Sequence, residues 1–179
     1  MQLSSAADLW DALAAEAAAE SSLWGEALLC RNERRLVPVF STLCEPVYAL
    51  GVETIYEGYL LHYGRPRLFA PADADIALLL GDYLYAHGLV RIAATGSVAA
   101  VNDLAELISL CAQSRADGTG GDGPAWAATA ACLGDGGLAG ARAMLRERRD
   151  ASHLDRAARE AAGDEAVERA LAAHRGHVG

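Results

Sequence analysis

The feature that most limits what this chain can fold into is the balance between its alanines and its β-branched residues. Its 179 residues include 39 alanines but only eighteen valines, isoleucines and threonines together. β-branched side chains are the usual material of strands, whereas alanine, leucine, arginine and glutamate lose least on entering a helix. The expectation is an all-α helical bundle. The length suits a single domain, read as a helical domain over 1–150 followed by a polar C-terminal helix or tail over 151–179.

Charge chemistry removes several functions. The chain has no lysine; all fifteen basic residues are arginines, set against 24 carboxylates for a net charge of -9. Walker-A NTPases, Schiff-base aldolases and pyridoxal-phosphate enzymes each depend on a lysine amine. An acidic chain without basic clusters is not built to grip nucleic acid or an anionic membrane surface. The acidic start, MQLSSAADLWDALAAEAAAE, lacks the basic region of a signal peptide. The apolar run Ile76 to Leu80 is interrupted by Gly81 and Asp82, so no transmembrane segment is expected and the location read is cytoplasmic. Cys30, Cys44, Cys111 and Cys132 contain no C-x2-4-C pair for zinc and read as small buried hydrophobes.

Capping and periodicity set out the helices. Ser4 or Ser5 can cap a first helix to about Glu20, and Ser21 or Ser22 a second, from Leu23 to about Arg35. Pro38 and Pro46 punctuate an apolar stretch. An aromatic-rich helix follows over Val52 to Tyr63, then a connector around Gly64, Pro66 and Pro71. Asp73 caps an almost wholly apolar helix, Ala74 to about Ala94, which belongs in a core or an interface. Ser97 caps the next, striped by Val101, Leu104, Ile108 and Cys111. A glycine-rich loop at 117–123 leads to a helix from Pro124 to about Leu133. Two polar helices follow, Leu138 to Arg149 and Ser152 to about His174, the latter read as a terminal arm.

Few residues suggest chemistry on their own. Asp75 and Asp82 share a helix face and suit a hydrated Mg2+, while Asp73 and Asp75 equally suit a helix cap and its dipole. Asp82, within an apolar helix, needs a partner if buried. Arg34/Arg35 and Arg65/Arg67 are basic pairs able to grip a diphosphate or simply to face water. Of the five histidines none forms H-E-x-x-H, and His174 with His177 reads as a solvated tail pair. Six tyrosines could line an apolar tunnel or fill a core with their hydroxyls at its rim.

The stretch VETIYEGYLLHYGRPRLFAPADADIALLLGDYLYAHGLVRIA resembles the trans-isoprenyl diphosphate (polyprenyl) synthases. Glu53, Ile55, Leu60 and His62 match that family's E-x-I-H-x-x-S-L-x-H helix. Gly64 and Pro66 match its G-x-P, and Leu79, Gly81, Asp82, Leu84 and Ala86 its L-x-G-D-x-L-x-A. RRLVP at 34–38 is similar to G-K-x-x-R-P, and GPAWAATAACLG at 123–134 to the K-T-A-x-L-F helix. The likeness spans about 33–134 in family order. It implies a shortened terpenoid-synthase fold.

The departures carry as much meaning. Tyr63-Gly64 follows His62 where the first D-D-x-x-D would begin, and no second such motif follows 124–133. The resemblance implies Mg2+, yet its ligands are missing, so no cofactor and no metal site are expected. Without those ions, ionisation of an allylic diphosphate loses its main electrostatic support. Arg34, Arg35, Arg65 and Arg67 remain as candidate diphosphate contacts, and His62 with Asp82 as a candidate polar site. The expectation is a non-catalytic or accessory subunit of isoprenoid biosynthesis. It would pair with itself or with a full-length prenyl synthase through helices 73–94 and 97–116. The alternatives are an active prenyltransferase with an unusual diphosphate site, and an unrelated helical interaction or apolar-ligand-binding domain.

Overall fold

The computed structural model describes residues 6–178, and among them the chain forms nine α-helices and no strand. The helices are α1 (Ala6–Glu20), α2 (Ser22–Glu26), α3 (Ala49–Tyr63), α4 (Ala74–Ala93), α5 (Val98–Ala116), α6 (Asp122–Ala131), α7 (Ala139–Arg148), α8 (Ser152–Ala162) and α9 (Asp164–Val178). Two 3-10 turns, Ser41–Leu43 and Pro46–Tyr48, lie between α2 and α3. Ser4 and Ser5, expected to cap the first helix, lie outside the described residues. The expected caps at Asp73 and Ser97 form, accepting the amides of Ile76 and Ala100 at 2.9 and 3.1 Å.

The centre of the bundle is α3. Every residue from Gly51 to Leu61 is buried, including Glu53 and Glu57. Its main neighbour is α4, and the two meet unusually closely through glycines spaced seven apart. A Cβ on Gly58 would lie 2.9 Å from the Gly81 carbonyl oxygen, and one on Gly88 3.0 Å from the Gly51 carbonyl oxygen. The pairs Gly51/Gly88 and Gly58/Gly81 fix one antiparallel register, because seven residues return each helix to the same face.

Two apolar clusters flank that crossing. The larger joins α3 to Leu104, Leu107 and Leu110 of α5, the alanines and Trp126 of α6, Leu154 and Ala158 of α8, and Val167 and Leu171 of α9. The alanine face of α6 lets α8 approach closely, leaving room for Leu154 in the core. The smaller cluster seats Leu9, Trp10 and Leu13 of α1 on Leu61, Leu68, Phe69, Leu80 and Leu84.

Two segments differ from the sequence expectation. The second helix ends at Glu26 rather than near Arg35. Beyond it the chain pairs in extended form with 68–70, through Leu29 N to Leu68 O at 3.0 Å and Ala70 N to Ala27 O at 2.7 Å. The helix expected over 152–174 is two helices, broken at Gly163, whose φ of +83° glycine adopts readily. Nor is α9 a free arm: Val167, Ala170, Leu171 and His174 are buried, and this face packs against α6. An apolar stripe that narrow is hard to see among so many charges.

Candidate functional site: a charged interior and an apolar outer face

Glu53 and Glu57 stand one helical turn apart on α3 and meet Arg67, all three fully buried. Arg67 donates through Nε to Glu57 Oε2 at 2.9 Å and through Nη1 to Glu53 Oε2 at 2.5 Å. The second oxygen of Glu57 accepts the amides of Arg67 and Leu68, both at 2.7 Å. That of Glu53 accepts those of Val39 and Ser41, at 2.9 and 3.0 Å. The guanidinium lies between two rings, 4.4 Å from the centroid of Trp10 and 4.8 Å from that of Tyr56. This cluster ties the irregular segments 37–41 and 67–68 to the central helix. Every carboxylate oxygen is occupied, as buried ions require.

A second polar node lies beside it on the same stretch of α3, with Tyr56 between the two. Tyr59 donates its hydroxyl proton to Asp122 Oδ2, and Arg115 donates to the same carboxylate. Arg115 also donates through Nη2 to the Tyr59 oxygen at 2.6 Å. Burial works to raise the Asp122 carboxyl, but the Tyr59 and Arg115 hydrogen bonds outweigh it and hold the group below the usual range. His174 from α9 joins this node, its Nδ1 2.9 Å from the Tyr56 hydroxyl and its Nε2 3.8 Å from Asp122 Oδ2. Burial pushes His174 down to about 4, against the pull of Asp122. Phe40, Tyr56 and Tyr59 pack around the imidazole with centroid separations of 5.5–5.9 Å, and Trp126 packs in turn on those three rings. Tyr56 and Tyr59 therefore fill the core, whereas Tyr48, Tyr63, Tyr83 and Tyr85 are half-buried.

The four candidate arginines have separate surroundings. Arg67 is internal, not at the surface. Arg65 donates its backbone N–H to the His177 carbonyl at 2.9 Å and its guanidinium to the Gly176 carbonyl, holding the C-terminal end of α9. Arg34 donates through Nε to the Leu29 carbonyl at 2.9 Å. The Arg35 side chain is exposed, and its backbone N–H meets the Arg67 carbonyl at 3.0 Å. The two arginine-bearing segments thus run side by side while Arg65 and Arg67 are engaged at different places.

His62 and Asp82 are brought together, Nε2 to Oδ1 at 3.3 Å. Asp82 is not buried; its side chain is 66% exposed at the surface of α4, and His62 lies beneath it. Burial lowers the His62 pKa, with Asp82 acting in the opposite direction. Of the cysteines, Cys111 is buried as expected, whereas Cys30 is exposed and Cys44 and Cys132 are half-buried. Among the described residues no group of three His, Cys, Asp or Glu side chains converges to hold a metal.

Around Asp82 the outer row of α4 is apolar: Leu78, Asp82, Ala86 and Val90 recur every four residues, with Leu79 beside them. Leu78, Leu79 and Val90 are 53%, 57% and 65% exposed, and Val98, at the start of α5, is 81% exposed. Side chains of this size in one exposed row are unusual on an isolated domain. The helix is long and apolar enough to cross a membrane by length and composition only. Its inner face is taken by α3, and the row left outside is only one stripe wide.

Glu53, Tyr59, Arg115, Asp122 and His174 were not singled out by sequence as partners. Only the one-turn spacing of Glu53 and Glu57 hints at a shared cation; the others are 56 to 118 residues apart along the chain in their pairings with α3. No family model, curated protein or solved structure matches the chain.

Proposed function

We propose that this chain is a non-catalytic subunit of polyprenyl-synthase type that works in the cytoplasm by pairing. Its partner is a second copy or a complete synthase, bound along α4 and α5. The observation that carries this reading is the exposed row Leu78, Leu79 and Val90 on α4, continued by Val98 on α5. Covering it removes apolar surface from water, at roughly 25 cal/mol per Å². The filled interior supports the non-catalytic part. Trp126, Tyr56, Tyr59 and His174 occupy the space between α3, α6 and α9, and Arg67 is committed to Glu53 and Glu57. A subunit of this kind can act on a catalytic partner by altering the depth of the partner's product cavity.

Two measurements test it. Light scattering on the purified chain at low micromolar concentration should give a dimer mass, or co-expression with a complete prenyl synthase should give a stable heteromer. Replacing Leu79 and Val90 together by glutamate should abolish either complex while leaving the helical circular dichroism unchanged. A stable monomer that ignores a co-expressed synthase overturns the pairing. With Mg2+, isopentenyl diphosphate and an allylic diphosphate, the purified chain should give no extractable longer product. Metal-dependent elongation would instead make it an active prenyltransferase.

A further inference from the structure

The first two helices form a unit of their own. α2 folds back on α1, where a Cβ on Gly25 would lie 3.6 Å from the Cβ of Ala18, so residues 6–26 make one helical hairpin. Among the described residues no backbone hydrogen bond joins this hairpin to the rest of the bundle. The first such tie comes just after it, where Ala27 and Leu29 pair with Ala70 and Leu68. The hairpin is held by the smaller apolar cluster and by Trp24, which stacks on Tyr83 of α4 with centroids 5.8 Å apart.

Its polar contacts are poor. The hairpin has five carboxylates, at Asp8, Asp11, Glu16, Glu20 and Glu26, and no basic residue. Among the described residues only Glu16 meets cationic partners, Arg91 and, at 2.9 Å, His87 Nε2. The Glu16 side chain is 44% exposed, and an ion pair so open to water adds little. Three buried polar atoms lie along the seam with no partner among the described residues: Trp10 Nε1, the Tyr83 hydroxyl and Arg91 Nε. A buried donor without an acceptor costs free energy that water would return. The Arg67 guanidinium, covered by the Trp10 ring at 4.4 Å, would also be hydrated if that ring left. Loss of apolar contact on opening is thus partly offset by the wetting of four polar groups.

We infer that the α1–α2 hairpin is a displaceable arm. It lifts from α4 as one unit, turning about Glu26–Ala27, while α3 to α9 stay folded. Lifting bares Leu80 and Leu84 on the inner flank of α4, beside the exposed row that carries Leu79 and Val90, so the arm controls how much apolar surface that helix presents. The opening itself does not depend on the pairing proposed above.

The test is native-state hydrogen exchange of the full chain across a urea series below the unfolding transition. Amides of α1 should exchange at least about tenfold faster than those of α3, with a shallower urea dependence, as a local opening requires. Tyr83→Phe removes an orphan hydroxyl and should slow exchange in α1 about three- to tenfold. Glu16→Gln weakens the one ionic tie and should speed it about two- to fivefold. Neither change should alter α3, and both sites are partly exposed, so folding is retained. Exchange of α1 and α3 at one rate with one urea dependence overturns the arm. So does a shift of both helices together in either variant, or faster exchange of α1 in Tyr83→Phe.

Discussion

Gly58 and Gly81 meet backbone to backbone where α3 crosses α4, and a Cβ on Gly58 would sit 2.9 Å from the Gly81 carbonyl oxygen. The contact is to main chain, which cannot rotate aside. Gly58→Ala should therefore force the helices apart and cost about 1–3 kcal/mol, the usual range for overpacking a tight core. Gly140→Ala is the matched control. Gly140 lies in α7 with nothing within 4 Å of where an alanine methyl would sit, so alanine there should add about 0.5–1 kcal/mol of stability. Urea denaturation of both variants reads the contrast.

The Arg67 cluster predicts an asymmetric pair of results. Arg67→Met leaves Glu53 and Glu57 charged, buried and unpaired, and should cost about 3–5 kcal/mol. That is a large share of the stability of an ordinary domain. Replacing Glu53 and Glu57 by glutamine in the same chain should recover most of the loss, because the amide carbonyls still accept from Val39, Ser41, Arg67 and Leu68. If the triple variant is no more stable than Arg67→Met, the cluster is not held by its charge balance.

These two sites also show how far the sequence could be read. The helical class, the caps at Asp73 and Ser97 and the extents of α4 and α5 followed from local chemistry, which acts within a turn or two. The central role of α3 did not, because Glu53 and Glu57 make it look half-solvated until Arg67, ten or more residues away, is placed against them. The most apolar helix, α4, has Leu78, Leu79 and Val90 outside, so apolarity alone could not distinguish a core from an outer face. His62 and Asp82 do lie together, yet Asp82 is at the surface rather than within the apolar packing its helix suggested. His174 was unreadable as a core residue, since its neighbours Tyr56 and Asp122 come from distant elements.

Arg149 ends α7 in the left-handed region, with φ +57° and ψ +28°. A side chain with a Cβ is strained there, and glycine is the common solution at this position of a helix end. Arg149→Gly should raise stability by a few tenths to about 1 kcal/mol despite losing a cation near the C-terminal dipole. Thermal melting of the single variant is sufficient to check the sign.

His174 gives the chain a defined acid limit. Its pKa falls from an ordinary 6.5 to about 4 on folding, because burial beside Phe40, Tyr56 and Tyr59 penalises the imidazolium. The unfolded chain therefore binds the proton first as pH falls. The stability His174 contributes is complete above about pH 6.5 and is lost progressively down to about pH 4, a difference on the order of 3 kcal/mol. Asp122, held below the usual carboxylate range, acts in the same direction at lower pH, because its protonation breaks the bonds from Tyr59 and Arg115. His62 and His177, both lowered by burial, add to the slope with the same sign. Equilibrium unfolding between pH 7.5 and 4.5 should show stability decreasing throughout. His174→Gln keeps a partner for the Tyr56 hydroxyl but cannot titrate, so its profile should be shallower across this window even if its stability at pH 7.5 is lower. Parallel profiles for the two chains would assign the acid sensitivity to other groups.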